Sequence, residues 1–344
     1  MSSIQKIAIF VTTILVSTYQ VLGQDTQYTQ YYAAPLYLNP GFTGSEQDHR
    51  VVLNYRNQWP SLPRSFVNYS FSYDFHMNEV KSGVGLLVST DRAGSAELRS
   101  TNVGFLYSYK VNLAGKWLFS PGLYFGYGRK DINFDKLVFG DQLMFDPDGN
   151  APTQDLSVVQ NIGMESYFDF GAGFVLYNKR FWAGVSAYHL NQPNQSLLGE
   201  ESQLPMKISI HSGIRIPLYH GLFKQDRTSS IAPSFIYKKQ GDFDQLDVGL
   251  HFLYEPIMIG LWYRGIPVQQ NVSDNVSQDA VALILGMLFE PFDIGYSYDF
   301  TISELGPLAG GAHEISLTFR FDVAESRKIK RKDKFIPCPT FNKN

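Results

Sequence analysis

The chain has 344 residues, of which 18% are charged, with 29 Gly, 21 Tyr, 26 Phe, a single Cys and a formal net charge of −3. So little charge is poor for a solvated globule of this length, whereas Tyr, Phe and Gly suit pleated strands and tight turns, so an all-β chain is expected. The near-neutral balance offers nothing to a polyanion and argues against nucleic acid as a partner, and the lone Cys338 leaves no intramolecular disulfide to hold an exported fold.

Residues 1–23 carry one basic residue, Lys6, then an apolar run from Ile7 to Val16, then the small Gly23 before Gln24. This three-part layout predicts a secretory signal cleaved near Gly23, and the absence of Cys at that boundary argues against a lipoprotein. Cleavage removes Lys6 alone, leaving 28 basic against 32 acidic residues and a net charge of −4. Residues 24–50 contain Pro35 and the Asn39-Pro40-Gly41 run, which favour turns, so an irregular periplasmic or lumen segment is expected there. No later stretch reaches about 18 apolar residues, so no membrane helix is expected; a closed barrel is the remaining way to span a bilayer with every backbone group paired.

Residues 51–322 fall into segments of about ten residues with alternating apolar and polar side chains, the length of a tilted membrane strand. The expected strands are roughly 51–58, 66–75, 82–90, 99–110, 116–128, 168–177, 180–189, 207–216, 230–238, 244–254, 256–264, 279–289, 291–300 and 312–321. The clearest is 312–321, where His313, Ile315, Leu317, Phe319 and Phe321 share one face and Ala312, Glu314, Ser316, Thr318 and Arg320 the other. Connections mostly alternate between short and long, the longest being 129–167, although 217–229 and 239–243 break the pattern. The fold expected is a transmembrane antiparallel up-and-down β-barrel of about 14 strands with both chain ends in the periplasm.

The face bearing Asp74, Lys110, Arg215, Asp247, Arg264, Asp293, Asp299, Glu314 and Arg320 is expected to line the lumen, since a basic residue facing lipid at the midplane costs about 2–4 kcal/mol. The soluble alternative is a β-sandwich. Against it stand Tyr73, Tyr107, Tyr109, Trp117, Tyr127, Tyr237, Trp262 and Tyr263 near segment ends of the apolar faces, as in interfacial aromatic girdles.

Chemistry is sparse. Gly83, Gly85, Gly171 and Gly173 lack the strand-turn-helix setting of a phosphate loop and read better as lumen-face glycines. Asp146–Asn150, DPDGN, resembles part of a calcium loop but lacks its bidentate Glu, so a β-turn is the better reading. The seven His show no HExxH spacing, no GxSxG elbow occurs, and neither cofactor nor metal is expected. Asn271-Val-Ser and Asn275-Val-Ser read as a polar loop. The tail 323–344 concentrates Arg327, Lys328, Lys330, Arg331, Lys332 and Lys334 around one acid, Asp333: a solvated segment attracting anionic headgroups, or a dock for a periplasmic partner.

Several motifs in order carry a family resemblance. The segment QYTQYYAAPLYLNPGFTG supplies Gln30, Tyr31, Pro35, Asn39, Pro40 and Gly44; Tyr55-Arg56-Asn57-Gln58-Trp59 matches YRxQW; Asp91 and Gly94 stand in TDRAG; residues 294–321 contain Tyr298, Asp299, His313, Glu314 and Arg320; CPTF closes the chain. Together they resemble the PorP/SprF family of type IX secretion system outer-membrane proteins of the Bacteroidota. Ala312, where a small hydroxyl residue is expected before His-Glu, departs from the family pattern, as does the long 129–167 loop.

The resemblance implies an integral outer-membrane barrel that works with type IX secretion system subunits to export or surface-anchor large proteins bearing a C-terminal sorting domain, some members serving gliding adhesins. It does not assign a binding site. Tyr55, Arg56, Gln58, Trp59, Asp91, Gly94, Tyr298, Asp299, His313, Glu314 and Arg320 are grouped as lumen network and motif residues, for which a structural role is expected, with Arg56, Asp299, Glu314 and Arg320 pairing across the lumen. The functional alternative has Gln30 to Gly44 and the lumen surface bind a sorting domain or periplasmic component. Beside this non-enzymatic role stand a passive or substrate-specific channel and, less supported by motifs, an outer-membrane lipid hydrolase.

Overall fold

The computed structural model describes residues 25–46, 48–62, 65–94, 97–113, 117–145, 152–155, 163–197, 201–218, 229–270, 276–289, 291–303, 308 and 310–322. The expected signal at 1–23 and the basic tail from Arg327 to Lys334 lie outside the described residues, as does Asp146–Asn150.

Fourteen antiparallel strands form the wall: β1 His49–Gln58, β2 Phe66–Met77, β3 Ser82–Ala93, β4 Leu98–Tyr109, β5 Trp117–Asp131, β6 Met164–Tyr177, β7 Phe181–Tyr188, β8 Lys207–Ile214, β9 Ser229–Gln240, β10 Phe243–Tyr254, β11 Ile257–Gln270, β12 Val276–Phe289, β13 Phe292–Thr301 and β14 Ala312–Phe321. Val111–Leu113 prolongs β4 past Lys110, and Ile216–Leu218 prolongs β8 past Arg215. Each strand pairs with the next, and β14 pairs with β1 from His49↔Phe321 to Gln58↔Ala312, closing the barrel. No helix among the described residues is long and apolar enough to cross a membrane.

The period-two pattern produces two surfaces. Outward residues such as Leu53, Phe105, Leu250, Leu261 and Ile294 are apolar and exposed, a belt that only lipid covers well. Inward residues such as Arg56, Asp74, Asp247, Asp299 and Glu314 are polar and buried. The tight connections, among them 78–81, 178–180 and 255–256, share one rim with the start of β1 and the end of β14. The long connections, including 132–163, 189–206 and 302–311, lie at the other. As expected, 219–228 and 241–242 break the alternation.

The lumen is filled. Residues 25–46 run through it as three short helical turns, Tyr31–Ala33, Pro35–Leu38 and Pro40–Phe42. Pro35 and Pro40 open the second and third, where a missing N–H is harmless, and the Asn39 side chain caps the third by accepting from Gly41 N at 2.8 Å. Tyr31, Tyr32, Leu38 and Phe42 pack on wall residues Val175, Trp182, Ile236, Met258, Trp262 and Ile284, so the hydrophobic core lies between segment and wall. Where the segment's backbone presses on the wall, the wall is glycine: a Cβ at Gly83 would lie 2.2 Å from Thr43 O, and one at Gly122 2.4 Å from Pro40 C.

The start of β1 and the end of β14 share one rim, whereas Asp25 sits at the opposite, long-loop rim beside His189 and Lys207. Trp262 is likewise corrected: it points inward onto Tyr31, with ring centroids 5.0 Å apart, and is no girdle residue. Tyr107, Tyr109 and Tyr127 do face outward and are exposed.

Introducing a charge on the outer belt measures how firmly lipid covers it. Leu261→Arg should destabilise the barrel in phospholipid vesicles by about 2–4 kcal/mol in equilibrium urea unfolding, while Leu261→Phe stays within about 1 kcal/mol of the parent.

Candidate functional site

The polar groups of the lumen are organised in layers along the segment. At the long-loop rim, Asp25 accepts from Lys207 Nζ at 2.6 Å and meets His189 Nε2 at 3.0 Å. On its other side His189 Nδ1 lies 3.0 Å from Asp169 of β6. Burial pushes the His189 imidazole down, but Asp25 and Asp169 outweigh it and raise it to about 9. Burial also pushes the Asp25 carboxyl up, yet Lys207 and His189 hold it well below the usual carboxylate range.

Deeper in, Thr29 and Gln30 offer their backbone N–H groups to the Glu314 carboxylate at 2.8 and 2.9 Å. Arg56 donates to Glu314 at 3.1 Å and to Asp299 at 2.7 Å. Arg264 donates to Asp299 at 3.1 Å and to Asp247 at 3.2 Å, and Asp247 also takes Lys238 at 3.1 Å. Thr29 Oγ1 sits among them, donating to Asp299 and accepting from both arginines. Arg56 and Glu314 stand directly opposite in the β1–β14 pair, so closure of the barrel brings them together. Every member is buried, and cationic and anionic groups alternate, the condition under which buried charge is tolerable.

Midway, Asn39 Nδ2 donates to Phe174 O at 3.0 Å and Val185 O at 3.1 Å, tying the segment to β6 and β7. At the tight-turn rim, Gly44 adopts a left-handed φ of +58° and donates to Asp74 at 2.7 Å, while Lys110 Nζ donates to its carbonyl. Arg50 clasps Asp74 through two bonds of 2.8 Å and reaches Glu46 at 3.1 Å, and Arg320 joins Glu46 to Asp293.

The motif residues therefore separate. Gln30, Tyr31, Pro35, Asn39, Pro40 and Gly44 are buried against the protein's own wall. Arg56, Asp299 and Glu314 form the upper network and Arg320 the lower clamp. Asp91 points inward opposite Asn68, which accepts from Tyr28 OH. Gln58 ends β1 on the inward side; Trp59, with φ of 58°, donates to Gly311 O at 2.7 Å and pins the first long connection to the last. Gly94 takes φ of +70° in the β3–β4 turn, with open space around it. Tyr55, Tyr298 and His313 depart from their grouping with the lumen network. Each alternates with an inward residue, Arg56, Asp299 or Glu314, and so faces outward.

Asp25, Glu46, Arg50, His189, Lys207 and Lys238 were not singled out from sequence. Arg50 and Lys238 had a usable signal, since Arg50 keeps step with Arg56 and Lys238 with inward Ile236 and Ser234. Asp25 and Glu46 had none, being outside any period. Among the described residues no group of three His, Cys, Asp or Glu could hold a metal ion. The carboxylates are engaged by cations and backbone donors, an arrangement that ties the segment to the wall.

Two outcomes are expected. Glu314→Ala removes one of the acceptors of Arg56 and leaves two backbone N–H groups without theirs, and should cost about 3–5 kcal/mol in urea unfolding, with the Arg56→Ala/Glu314→Ala double variant losing less than the sum of the singles. The rim pair should give a pH signature. His189 is raised above its ordinary 6.5, so its contribution is whole below about 6.5 and lost as pH rises through about 9; depressed Asp25 contributes above about 3.8 and loses it on acidification. The thermal midpoint should thus fall between pH 6.5 and 9.5, and His189→Gln should flatten that fall.

Among solved structures, the chain is similar to the Pseudomonas putida toluene transporter TodX at 10% identity, covering 83% of this chain and 93% of that one with a TM-score of 0.44. It is also similar to Omp33 of Acinetobacter baumannii, at 6% identity over 81% of this chain and 100% of that one with a TM-score of 0.40. CdiB from the same organism aligns at 7% identity over 80% of this chain and 60% of that one, with a TM-score of 0.43. No curated protein matches the chain. The family model for the type IX secretion system membrane protein PorP/SprF matches residues 21–319. A match of that extent, across the filling segment and the wall as far as Phe319, means that the chain belongs to the PorP/SprF family of type IX secretion system membrane proteins.

Proposed function

We propose that this protein is a non-enzymatic component of the type IX secretion machinery in the outer membrane of a member of the Bacteroidota. Its role is to help export, or hold at the surface, large proteins that carry a C-terminal sorting domain, a gliding adhesin among them. The observation that carries this reading beyond family membership is the filled lumen. A barrel whose interior is occupied by residues 25–46 and tied by buried arginine–carboxylate pairs is a rigid scaffold, its lumen filled among the described residues. Gln30 to Gly44 then act by holding the wall in shape, and partner contacts fall to the rims.

In this reading the tight-turn rim faces the periplasm and the long-loop rim the exterior, as in other membrane barrels. Exposed Leu143 and Met144 in the turn Gly140–Phe145, with Leu308 in the last long connection, give the outer rim apolar side chains for a partner. The basic tail, following β14, would meet anionic headgroups or a secretion-system subunit on the periplasmic side.

Mild-detergent purification of the tagged protein from its native membrane, followed by mass spectrometry, should recover secretion-system subunits or an exported protein with a sorting domain. Planar-bilayer recordings should show no steady conductance. A bare barrel that conducts would support the channel instead.

A further inference from the structure

Two rungs of the sheet set arginine directly against arginine. Inside the barrel, Arg50 of β1 faces Arg320 of β14, and the Glu46 carboxylate answers the repulsion by accepting from both. Outside, Arg92 of β3 faces Arg99 of β4. Like charges directly opposite on neighbouring strands destabilise a sheet, and here the chain supplies no shared anion to offset that cost.

The acids near the outer rung are drawn elsewhere. Glu97, in the β3–β4 turn, lies 3.7 Å from Arg92 Nη1 but 2.5 Å from Lys136 Nζ. Asp131 of β5 stands beside Arg99 in register, yet its carboxylate lies 3.7 Å from Arg129 Nε. Arg99 itself forms no ion pair among the described residues. Cationic Arg92, Arg99, Arg129 and Lys136 are thus left with only Glu97 and Asp131 between them, an excess of positive charge on one sector of the wall. The other facing charges at this end cancel: Lys239 of β9 stands directly opposite Asp244 of β10.

Depth selects the ligand. On the outward face of β3, β4 and β5, the rung Val88, Val103 and Tyr127 is the last apolar one. Above it come Thr90, Thr101 and Arg129, the two hydroxyls 3.3 Å apart, and above these the Arg92–Arg99 rung. Rungs on one face follow at about 7 Å along the strand, so the guanidiniums begin where the hydrocarbon ends and the layer of lipid headgroups starts.

We propose that Arg92 and Arg99, with Arg129 below them, bind the phosphate of an anionic lipid standing in the leaflet at the long-loop rim. A phosphate offers outside what Glu46 offers inside, oxygens for two guanidinium forks at once. The acyl chains of the same molecule descend over exposed Val103 and Tyr127, a contact that a soluble anion could not make. The site needs only the membrane, and neither a cargo protein nor a secretion-system subunit.

Native mass spectrometry of the full-length barrel, delipidated in neutral detergent and titrated with dioleoyl phosphatidylglycerol, tests the site, with heat-modified gel mobility confirming the fold of each variant. The parent should retain this lipid in preference to dioleoylglycerol, which lacks the phosphate. Arg92→Gln/Arg99→Gln should lower retention about tenfold or more, the loss expected when charge-assisted bonds are removed. Arg180→Gln/Lys239→Gln, which removes as much charge from exposed positions elsewhere, should leave retention unchanged. Excess glycerol phosphate should not displace the lipid. Equal losses in the two double variants would overturn the site, as would a parent that holds dioleoylglycerol equally well. Displacement by glycerol phosphate would overturn the lipid assignment and give the arginines to a soluble anion.

Discussion

The structure depends on one constraint: a fourteen-stranded wall encloses more space than its own side chains fill, so something must occupy the lumen and satisfy the polar groups facing it. Residues 25–46 do both. Their backbone N–H groups at Thr29 and Gln30 settle on Glu314, and that carboxylate is held by Arg56 from the adjoining strand. The same contacts fix register. Arg56 faces Glu314 across the closing β1–β14 pair, so a slip of one residue would turn one of them toward lipid and leave the other without its partner.

The segment's shape follows from length. Twenty-two residues fully extended would span on the order of 70 Å, whereas a twelve-residue strand rises about 40 Å and, tilted, makes a wall about 30 Å high. The three helical turns take up the difference and present backbone on several sides, which is why Ser108, Ser120 and Ser186 each donate to its carbonyls at Thr43, Gly41 and Leu38. It runs from the long-loop rim to the tight-turn rim before β1 turns back up the wall. The closed barrel therefore surrounds its own N-terminal segment.

Much of the wall was legible because lipid outside and polar filling inside impose a strict period of two. The strand at 312–321 matches residue for residue, and most others differ by one to three residues at their ends. The pattern fades where the surroundings stop differing. β11 continues to Gln270, well beyond Arg264, with register shifts after Arg264 and Ile266, because a strand rising past the membrane no longer separates lipid from lumen. Position on a strand also decides what a motif residue does: Arg56 and Glu314 point inward and pair, while neighbours Tyr55 and His313 point outward. The filling segment was legible only as a non-regular stretch. Enclosed by wall on all sides, it needs no repeating polar face, and its partners at Asp25 and Glu46 follow from the folded geometry alone.

Membership in the PorP/SprF family and a filled lumen point the same way, toward a barrel whose outer surfaces and rims carry its work. The account rests on residues 25–46 being an integral part of the folded wall. Amide hydrogen exchange of the full-length protein in detergent tests this most directly. Amides of residues 29–44 should exchange as slowly as those of β1 and β14, because they are buried by the wall and bonded to it at Glu314 and Asp74 or within the segment's own turns. Exchange of these amides at the rate of a free peptide, with the strands still protected, would contradict it.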